Sequence, residues 1–323
     1  GDVYKRQDII NPYNQEVIFT VAEGTKEDVE RAILAARRSF EDGELSSETS
    51  EVRGQKVRAI ADKIKEHREE LAKLETLDTG KTLEESYADM DDIHNVFMYF
   101  AGLADKDGGE IINTPIPNSE SKVVKEPVGV VTQITPWNYP LLQASWKIAP
   151  ALATGCSLVM KPSEITPLTT IRVFELMEEV GFPKGTINLV LGAGSEIGDV
   201  MSGHEEVDLV SFTGGIKTGK HIMKQAADHV TNIALELGGK NPNIIFDDAD
   251  FELAVDQALN GGYFHAGQVC SAGSRILVHN DIKEDFEKAL IDRVSKIKLG
   301  NGFDDETEMG PVISKAVSYT HLR

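Results

Sequence analysis

Cys270 is the side chain in this sequence with the greatest potential as a nucleophile. It lies in GQVCSAGSR at residues 267–275, among small neighbours, and the only other cysteine is Cys156 in ATGCSLVMK. A thiolate at an accessible position attacks carbonyl carbons readily. A lone cysteine is also commonly a small core residue, so this stretch by itself leaves both interpretations open. Cys156 directly precedes an apolar run, and we assign it to the core.

Asn138 in TPWNYP and Glu236 in LELGGK carry side chains that suit acyl chemistry. The amide of Asn138 could stabilise an oxyanion, although an asparagine at such a position often simply closes a turn. Glu236 lies between two leucines, so we expect its carboxylate to be desolvated and its pKa raised toward that of a general base. A structural ion pair is the competing interpretation for Glu236.

Three further stretches are candidates for binding a dinucleotide. In VMKPSE, the carboxylate of Glu164 beside Lys161 could accept hydrogen bonds from a ribose diol and would repel a 2′-phosphate. SFTGG at residues 211–215 precedes a helix whose free N–H groups would suit a phosphate, and a simple tight turn is the competing interpretation. GAGSEIG, from Gly192 to Gly198, is weak evidence, because its glycine spacing is one residue too long for the usual fingerprint.

These residues follow apolar runs that alternate with helical stretches from Val128 onward. The strand-like runs are VGVVTQI, SLVMK, INLVL, DLVSFT and NIALEL, and the helices begin near Leu141, Thr166, Ser195 and Ile216. In particular, the Thr166 hydroxyl is expected to cap a helix that starts at Pro167. The alternation predicts an α/β fold with a doubly wound, mostly parallel sheet, which places chemistry at the strand ends.

A second series of elements contains Cys270. It comprises NIIF at 243–246, a helix over about 250–264, and RILVH at 275–279, so the cysteine falls in a turn between helix and strand. The first third of the chain is predicted to be helical. Its helices cover 26–40, capped by Thr25; Glu51 to about Leu77, ended by Gly80; and 91–103.

Composition narrows the functional classes. The chain has 323 residues, with 53 acidic against 33 basic side chains and a net charge of −20, which disfavours nucleic acid and anionic membrane surfaces as partners. Two cysteines without a paired framework indicate a reducing, cytoplasmic environment. The sequence shows neither an apolar run long enough for a membrane span nor a leader peptide.

The motifs PWNYP, KPSE, FTGG, ELGGK and GQVCSAGSR occur in the order typical of the aldehyde dehydrogenase superfamily, which the chain resembles from about Asp8 to Val317. Glu236 and Cys270 are 34 positions apart, as that pattern expects. The resemblance implies a Rossmann-like NAD-binding domain at residues 8–239 and the first part of an α/β catalytic domain at 240–317. An oligomerisation arm is implied near 119–127. Residues 1–7 and 318–323 match neither the family pattern nor the local periodicity, and we expect them to be extraneous. Members of the family continue well beyond Val317, so we expect this chain to be truncated.

The resemblance also implies a mechanism. Cys270 would attack the aldehyde to form a thiohemiacetal, and Asn138 with the backbone N–H of Cys270 would hold the oxyanion. Hydride transfer to NAD would leave a thioester, which water activated by Glu236 would hydrolyse. Lys147 in SWK matches a lysine with an accessory proton-relay role.

The resemblance assigns the cofactor to residues around the strand ends, with Glu164 favouring NAD over NADP. The implied cofactor-binding residues are Pro136, Trp137, Asn138, Lys161, Pro162, Ser163, Glu164, Gly194, Thr213, Gly214, Gly215, Leu237 and Gly238. Where many relatives have serine, Gly215 replaces a side-chain contact to phosphate with a backbone contact.

Tyr139, Trp146 and Phe264 match an aromatic lining found in members that oxidise betaine aldehyde. Aromatic faces attract a quaternary ammonium, which favours oxidation of betaine aldehyde to the osmoprotectant glycine betaine. Such a lining also suits other apolar aldehydes. The alternatives are therefore an enzyme for an aminoaldehyde or a semialdehyde, or a cofactor-binding fragment without activity.

The resemblance implies two further partners. A monovalent cation such as K⁺ would be held by the Ile10 backbone, Asp89 and the Ile165 backbone. The full-length protein would form a homodimer or homotetramer.

Overall fold

The computed structural model describes residues 5–106 and 108–317. Its strands are β1 (Arg6–Ile10), β2 (Val17–Ala22), β3 (Glu110–Ile112), β4 (Ser121–Val123), β5 (Val130–Ile134), β6 (Ser157–Lys161), β7 (Ile187–Leu189), β8 (Leu209–Gly214), β9 (Asn232–Leu237), β10 (Pro242–Ile245) and β11 (Arg275–Val278). Its helices are α1 (Lys26–Glu41), α2 (Ser50–Glu66), α3 (Arg68–Thr79), α4 (Leu83–Leu103), α5 (Pro140–Thr154), α6 (Leu168–Val180), α7 (Gly194–Gly203), α8 (Ile216–Ala227), α9 (Phe251–Tyr263) and α10 (Lys283–Val294). A short turn covers Phe264–Gly267.

The central sheet has five parallel strands in the order β7-β6-β5-β8-β9, which confirms the predicted doubly wound architecture. Every residue of β5 and β6 is buried, as expected for central strands covered on both faces. The chain leaves β5 toward β6 on one side and reaches β8 on the other. The strand order therefore reverses between β5 and β8, where such sheets open a ligand crevice.

Helices cover both faces of this sheet. On one face, α2, α4, α5 and α6 share an apolar core with β5 and β6, and Cys156 is buried there as predicted. On the other face, α1, α7 and α8 pack against β5, β6 and β8. Both layers leave the carboxyl ends of the strands accessible, and this arrangement positions the candidate site.

The N-terminal helices differ from prediction in their boundaries. Thr25 caps α1 through a reciprocal capping box, and Gly80 ends α3 with a left-handed φ of 80°, both as predicted. The single helix expected from Glu51 to Leu77 is interrupted at His67, which serves as the C-cap of α2 and the N-cap of α3. Helix α4 starts well before residue 91, because Thr82 forms a capping box at its beginning.

The predicted cap of α6 by Thr166 is wrong. The Thr166 hydroxyl donates to the Trp137 carbonyl at 3.3 Å, and Asp78 of α3 accepts a 2.9 Å hydrogen bond from the Leu168 N–H instead. Asp78 is fully buried. A carboxylate from a distant segment therefore accepts the free N–H at the start of α6, where the sequence had predicted the Thr166 hydroxyl as the acceptor.

Residues 242–317 add a smaller unit in which β10 pairs in parallel with β11 beside α9 and α10. Within the predicted arm, β4 pairs antiparallel with β3 to form a hairpin. Arg6 and Gln7, inside the tail expected to be extraneous, form part of β1 and pair with β2. Residues 1–4 and 318–323 lie outside the described residues. None of the described helices has the length and apolar character needed to span a membrane.

Candidate active site

A cleft of about 950 Å³ opens where the strand order reverses, and it collects most of the predicted cofactor residues. The predicted residues that line it are Pro136, Trp137, Lys161, Ser163, Glu164, Gly194, Thr213, Gly214 and Gly215. Asn138, Pro162, Leu237 and Gly238 do not line it. The cleft is therefore formed mainly by the ends of β5, β6 and β8 and by the starts of α7 and α8.

Lys161 and Glu164 form one wall of this cleft. The buried Lys161 ammonium donates to the carbonyl oxygens of Pro162 at 2.9 Å and Gly192 at 3.1 Å, and to Glu164 Oε2 at 3.3 Å. Burial lowers the pKa of Lys161, and the charge of Glu164 opposes that shift. The Glu164 side chain is 40% exposed, so its carboxylate remains available to hydroxyl donors in the cleft.

The start of α8 offers hydrogen-bond donors to the cleft. Gly215 is its N-cap and supplies no side chain, so the first N–H groups of the helix have no side-chain cap. Thr213 Oγ1 is buried without a hydrogen-bond partner within the described part of the chain. A phosphate group at this position would satisfy both the free helix donors and the threonine hydroxyl.

The GAGSEIG stretch, whose glycine spacing is one residue too long for the usual fingerprint, also contributes to the cleft. It opens α7, and Gly194, Ser195 and Gly198 line the cavity. A Cβ on Gly194 would lie 3.9 Å from Lys161 Cε, so side chains larger than hydrogen would extend into the space beside the lysine. The extra residue in the glycine spacing therefore did not prevent this turn from lining the cleft.

Sequence reasoning missed the basic side chains of the same cleft. The additional polar lining residues are Asp199, Lys217, Thr218, Lys220, His221 and Lys224. His221 Nε2 lies 2.7 Å from Asp199 Oδ1, which places this pair at the same wall. The amphipathic spacing of the lysines along IKTGKHIMK was the available signal, because residues three and four apart share one helical face.

Cys270 is exposed in a turn that precedes β11, so the structure places it at an accessible position rather than in the core. The Asn138 amide donates a 2.7 Å hydrogen bond to the carbonyl oxygen of Gln268, which joins the end of β5 to this turn. Asn241 donates to the Cys270 carbonyl oxygen at 3.1 Å. Gln268 is itself anchored, because its Oε1 accepts from the Ile313 N–H at 3.0 Å.

The predicted desolvation of Glu236 is wrong. It lies on β9, the edge strand of the central sheet, and its side chain is exposed to solvent. Lys147 is buried instead, and its ammonium donates to Ser211 Oγ at 3.0 Å. Burial lowers the pKa of Lys147 to about 8, and the charge of Glu236 acts in the opposite direction. The two predicted proton-transfer groups are therefore electrostatically coupled.

The predicted aromatic lining lies on two elements beside the cysteine turn. Tyr139 precedes α5, and Trp146 is seven residues further, about two helical turns along the same face. Trp146 and Phe264 are both about half exposed. The Tyr139 ring lies 5.2 Å from the imidazole ring of His265, between centroids, so it contacts the turn that carries Phe264.

A buried ion cluster lies behind Tyr139, and no local feature of the sequence indicates it. The fully buried Lys81 places its Nζ 4.2 Å from the Tyr139 ring centroid and 2.5 Å from Asp89 Oδ2. Glu75 Oε1 is 3.9 Å from the same ammonium. Burial raises the pKa of Glu75 to about 7.

This cluster is poorly suited to binding the predicted monovalent cation. Asp89 was expected to provide a carboxylate with the Ile10 and Ile165 backbones, but its carboxylate is paired with the Lys81 ammonium. A second cation beside that ammonium would be repelled at short range in a buried setting. The Lys81 ammonium therefore occupies the position beside Asp89 that the cation was expected to take.

Known proteins resemble this chain over nearly its whole length. The family model described as "Aldehyde dehydrogenase family" matches residues 2–320. Betaine aldehyde dehydrogenase of Bacillus subtilis (strain 168) is 67% identical over 306 residues, covering 95% of this chain and 62% of that protein. Aminoaldehyde dehydrogenase 1, peroxisomal, of Pisum sativum is 43% identical over 318 residues, covering 97% of this chain and 63% of that protein.

Solved structures are similarly close. A crystal structure of betaine aldehyde dehydrogenase from Staphylococcus aureus in complex with NAD⁺ superposes with a TM-score of 0.96 at 86% identity. The match covers 98% of this chain and 64% of that one. The chain thus spans less than two thirds of the length of these relatives.

Proposed function

The chain belongs to the aldehyde dehydrogenase family, and we propose that the whole protein oxidises betaine aldehyde to glycine betaine with NAD as hydride acceptor. The hydrogen bond from Asn138 to Gln268 carries this proposal. It holds the predicted oxyanion donor against the turn of the predicted nucleophile, beside a cleft of dinucleotide size.

In the first step, the Cys270 thiolate attacks the aldehyde carbon, and the carbonyl oxygen becomes an oxyanion. An asparagine amide has two N–H donors, and Asn138 uses one of them for Gln268. The other N–H and the backbone N–H of Cys270 would stabilise the oxyanion. Asn241 restrains the Cys270 carbonyl, which fixes the backbone that presents the thiol.

Bound NAD would supply the oxidising equivalent by accepting hydride. Glu164 would accept hydrogen bonds from the ribose hydroxyls, and its charge disfavours a 2′-phosphate. The start of α8 with Thr213 would hold the pyrophosphate. Lys161 acts chiefly by fixing this wall, because its ammonium already binds two carbonyl oxygens.

Hydrolysis of the Cys270 thioester requires an activated water. Glu236 is exposed, so its carboxylate is accessible to a bound water. Lys147 would relay protons with it, since its lowered pKa of about 8 permits a neutral amine near physiological pH. Both roles are inferred from the family pattern and from this coupling.

Tyr139, Trp146 and Phe264 would form an aromatic lining for the trimethylammonium group. Cation–π contacts contribute roughly 0.5 to 2 kcal/mol each. The partial exposure of Trp146 and Phe264 leaves their ring faces available to a substrate. An aminoaldehyde is the second candidate substrate, favoured by the similarity to the Pisum sativum enzyme, because a protonated amine uses the same cation–π attraction.

We further propose the division into a cofactor domain at 8–239 and a partial catalytic domain at 240–317. The β3–β4 hairpin would contribute to a homodimer or homotetramer, because it exposes Ile111 and, just after β4, Val124. The two free cysteines are consistent with a cytoplasmic location.

The test is NADH production with betaine aldehyde by a chimera that joins residues 5–317 to the remaining length of the Staphylococcus aureus relative. The chain alone is assayed in parallel, and Cys270→Ala in the chimera is the control. We expect activity in the chimera that the alanine variant lacks. A folded chimera that binds NAD and turns over neither betaine aldehyde nor an aminoaldehyde would contradict the assignment. Activity of the chain alone would reject the alternative of an inactive cofactor-binding fragment.

A further inference from the structure

The turn before Cys270 has an unusual backbone. His265, Ala266 and Gly267 have φ angles of 50°, 54° and 72°, so three consecutive residues are in the left-handed region. Only glycine adopts this region without cost, and two of the three are not glycine. Such a conformation persists when surrounding contacts hold it, and it occurs often at functional sites.

Contacts from two distant segments and from the turn itself hold His265 in place. Its backbone N–H donates to Glu85 Oε1 of α4 at 3.1 Å. Its carbonyl oxygen accepts from the Gln268 N–H at 3.0 Å and from Gln268 Nε2 at 3.2 Å. Its imidazole packs against Tyr139, with 5.2 Å between ring centroids and an interplanar angle of 58°.

The imidazole is uncharged in this environment. The side chain is only 5% exposed, and burial lowers the pKa of His265 well below its usual range. The Lys81 charge acts in the same direction, and a hydrogen bond between the imidazole and the Asn138 backbone opposes it. The charged group that acts on the ring is the Lys81 ammonium, which contacts the same tyrosine, whereas the Glu85 carboxylate binds the His265 backbone N–H. A neutral ring can pack on Tyr139 beside this ammonium without charge repulsion.

These contacts form a closed connection between the two halves of the proposed catalytic centre. Asn138 binds Gln268 through its side chain, and the next residue, Tyr139, packs on His265. Gln268 in turn binds His265. Two adjacent residues after β5 therefore contact two residues of the cysteine turn, one through a hydrogen bond and one through packed rings.

We propose that His265 is a positioning residue whose ring, packed on Tyr139, holds the left-handed turn in register with Asn138 and so places Cys270 opposite its oxyanion donor. The proposal rests on the proposed function for its catalytic consequence, but the structural link between ring and turn is independent of the substrate. A displaced turn would separate the nucleophile from the Asn138 amide, which costs rate without altering the cofactor cleft.

Three variants separate the ring from the backbone. His265→Asn tolerates the left-handed conformation but removes the ring. His265→Phe retains an aromatic ring against Tyr139. Ala266→Gly relieves strain at the adjacent left-handed residue without touching the ring, and it is the matched control.

The first measurement is amide hydrogen exchange of residues 264–272 in the chain itself, which needs no aldehyde activity. We expect His265→Asn to increase exchange at Gln268 and Ala272, whose N–H groups bind within the turn. Ala266→Gly should stay close to the unsubstituted chain, and His265→Phe should fall between that chain and His265→Asn, because Phe keeps the ring but tolerates the left-handed φ less well. Unchanged exchange in His265→Asn would overturn the proposal, whether or not the protein proves to oxidise aldehydes.

The second measurement is steady-state kinetics in the chimera. We expect His265→Asn to lower kcat by about tenfold to a hundredfold while the KM for NAD changes little. His265→Phe should recover part of that loss, because it keeps the ring contact with Tyr139 but loses the hydrogen bond of the imidazole to the Asn138 backbone and tolerates the left-handed φ less well. If His265→Phe falls as far as His265→Asn, or if neither variant loses rate, the ring contact does not position the nucleophile. An inactive unsubstituted chimera would instead contradict the proposed function and leave the exchange result to decide this proposal.

Discussion

The side-chain amide of Asn138 lies 2.7 Å from the carbonyl oxygen of Gln268, two residues before the proposed nucleophile. The two residues are 130 positions apart in the chain, and their contact joins the end of β5 to the turn that carries Cys270. One amide therefore serves two purposes in the proposed mechanism. It anchors the turn through one N–H and leaves the other for the oxyanion.

Replacing Asn138 with alanine is expected to remove both contributions. Loss of an oxyanion donor typically lowers kcat by about 10²- to 10³-fold, and the freed turn should add to that loss. The rate of thiohemiacetal formation by the chimera, followed in single-turnover experiments, measures the effect. Asn188→Ala is the matched control, because that amide binds the Leu158 and Gly185 carbonyls away from the cleft. Equal rates for the two variants would argue against an oxyanion role for Asn138.

Replacing Glu164 with glutamine is expected to weaken discrimination against NADP. The carboxylate is partly exposed in the cleft, so its charge acts on a 2′-phosphate through a medium of intermediate dielectric. Its removal should improve NADP binding relative to NAD by about five- to tenfold. Titration calorimetry of the chain with each dinucleotide tests this ratio. Glu196→Gln, an exposed carboxylate in the first turn of α7, makes the same change in net charge and should leave the ratio unaltered.

Lys147 should control the alkaline pH dependence of thioester hydrolysis. Its pKa of about 8 lies below the usual lysine value, so the amine becomes a proton acceptor as pH rises through about 8. Deacylation should therefore accelerate through that range. Lys147→Arg stays protonated at all accessible pH values, so this rise should disappear while the positive charge is retained.

The matched control for this profile is Lys184→Arg, an exposed lysine in the loop before β7. Deacylation is measured by rapid quench of the acylated chimera across the pH range. A rise near pH 8 that persists in Lys147→Arg would assign the titration to another group and remove Lys147 from the proposed relay.

The parts of this fold that follow from the sequence are those set by contiguous residues. All five strands of the central sheet coincide with predicted apolar runs, and the two central strands, β5 and β6, are buried on both faces. Nine of the predicted cofactor residues line one cleft. Parallel strands bring their carboxyl ends to one edge, so motifs that follow strands meet in space.

The predictions that failed depend on contacts between distant segments. Thr166 does not cap α6, because Asp78, 90 positions away from Leu168, accepts that helix's N–H instead. The apolar neighbours of Glu236 suggested burial, but exposure depends on the place of β9 at the sheet edge. The pairing of Lys81 with Asp89 is an i,i+8 contact across the start of α4, which no helical spacing rule indicates.

The buried carboxyl group of Glu75 should make stability depend on pH. Burial raises its pKa to about 7 in the folded chain, from a usual value of 4.5, so the folded state holds a proton that the unfolded state releases between those values. The free energy of unfolding should therefore fall as pH rises through this window, by at most about 3 kcal/mol. Burial also raises the pKa values of Asp78 and Asp89, which gives the same sign.

Replacing Glu75 with glutamine isolates its share of that dependence. Glutamine cannot ionise, and it can still accept the hydrogen bond that Thr169 donates to Glu75 Oε2 at 2.6 Å, while Asp89 keeps its pairing with Lys81. Urea denaturation should show nearly equal stability for the two proteins near pH 5 and a variant more stable by about 1 to 3 kcal/mol near pH 8. Glu30→Gln, an exposed change on α1, should leave the pH profile unaltered. A glutamine variant that is less stable near pH 8 would mean that the ionised carboxylate is needed as a partner for Lys81, and that pairing outweighs desolvation in this cluster.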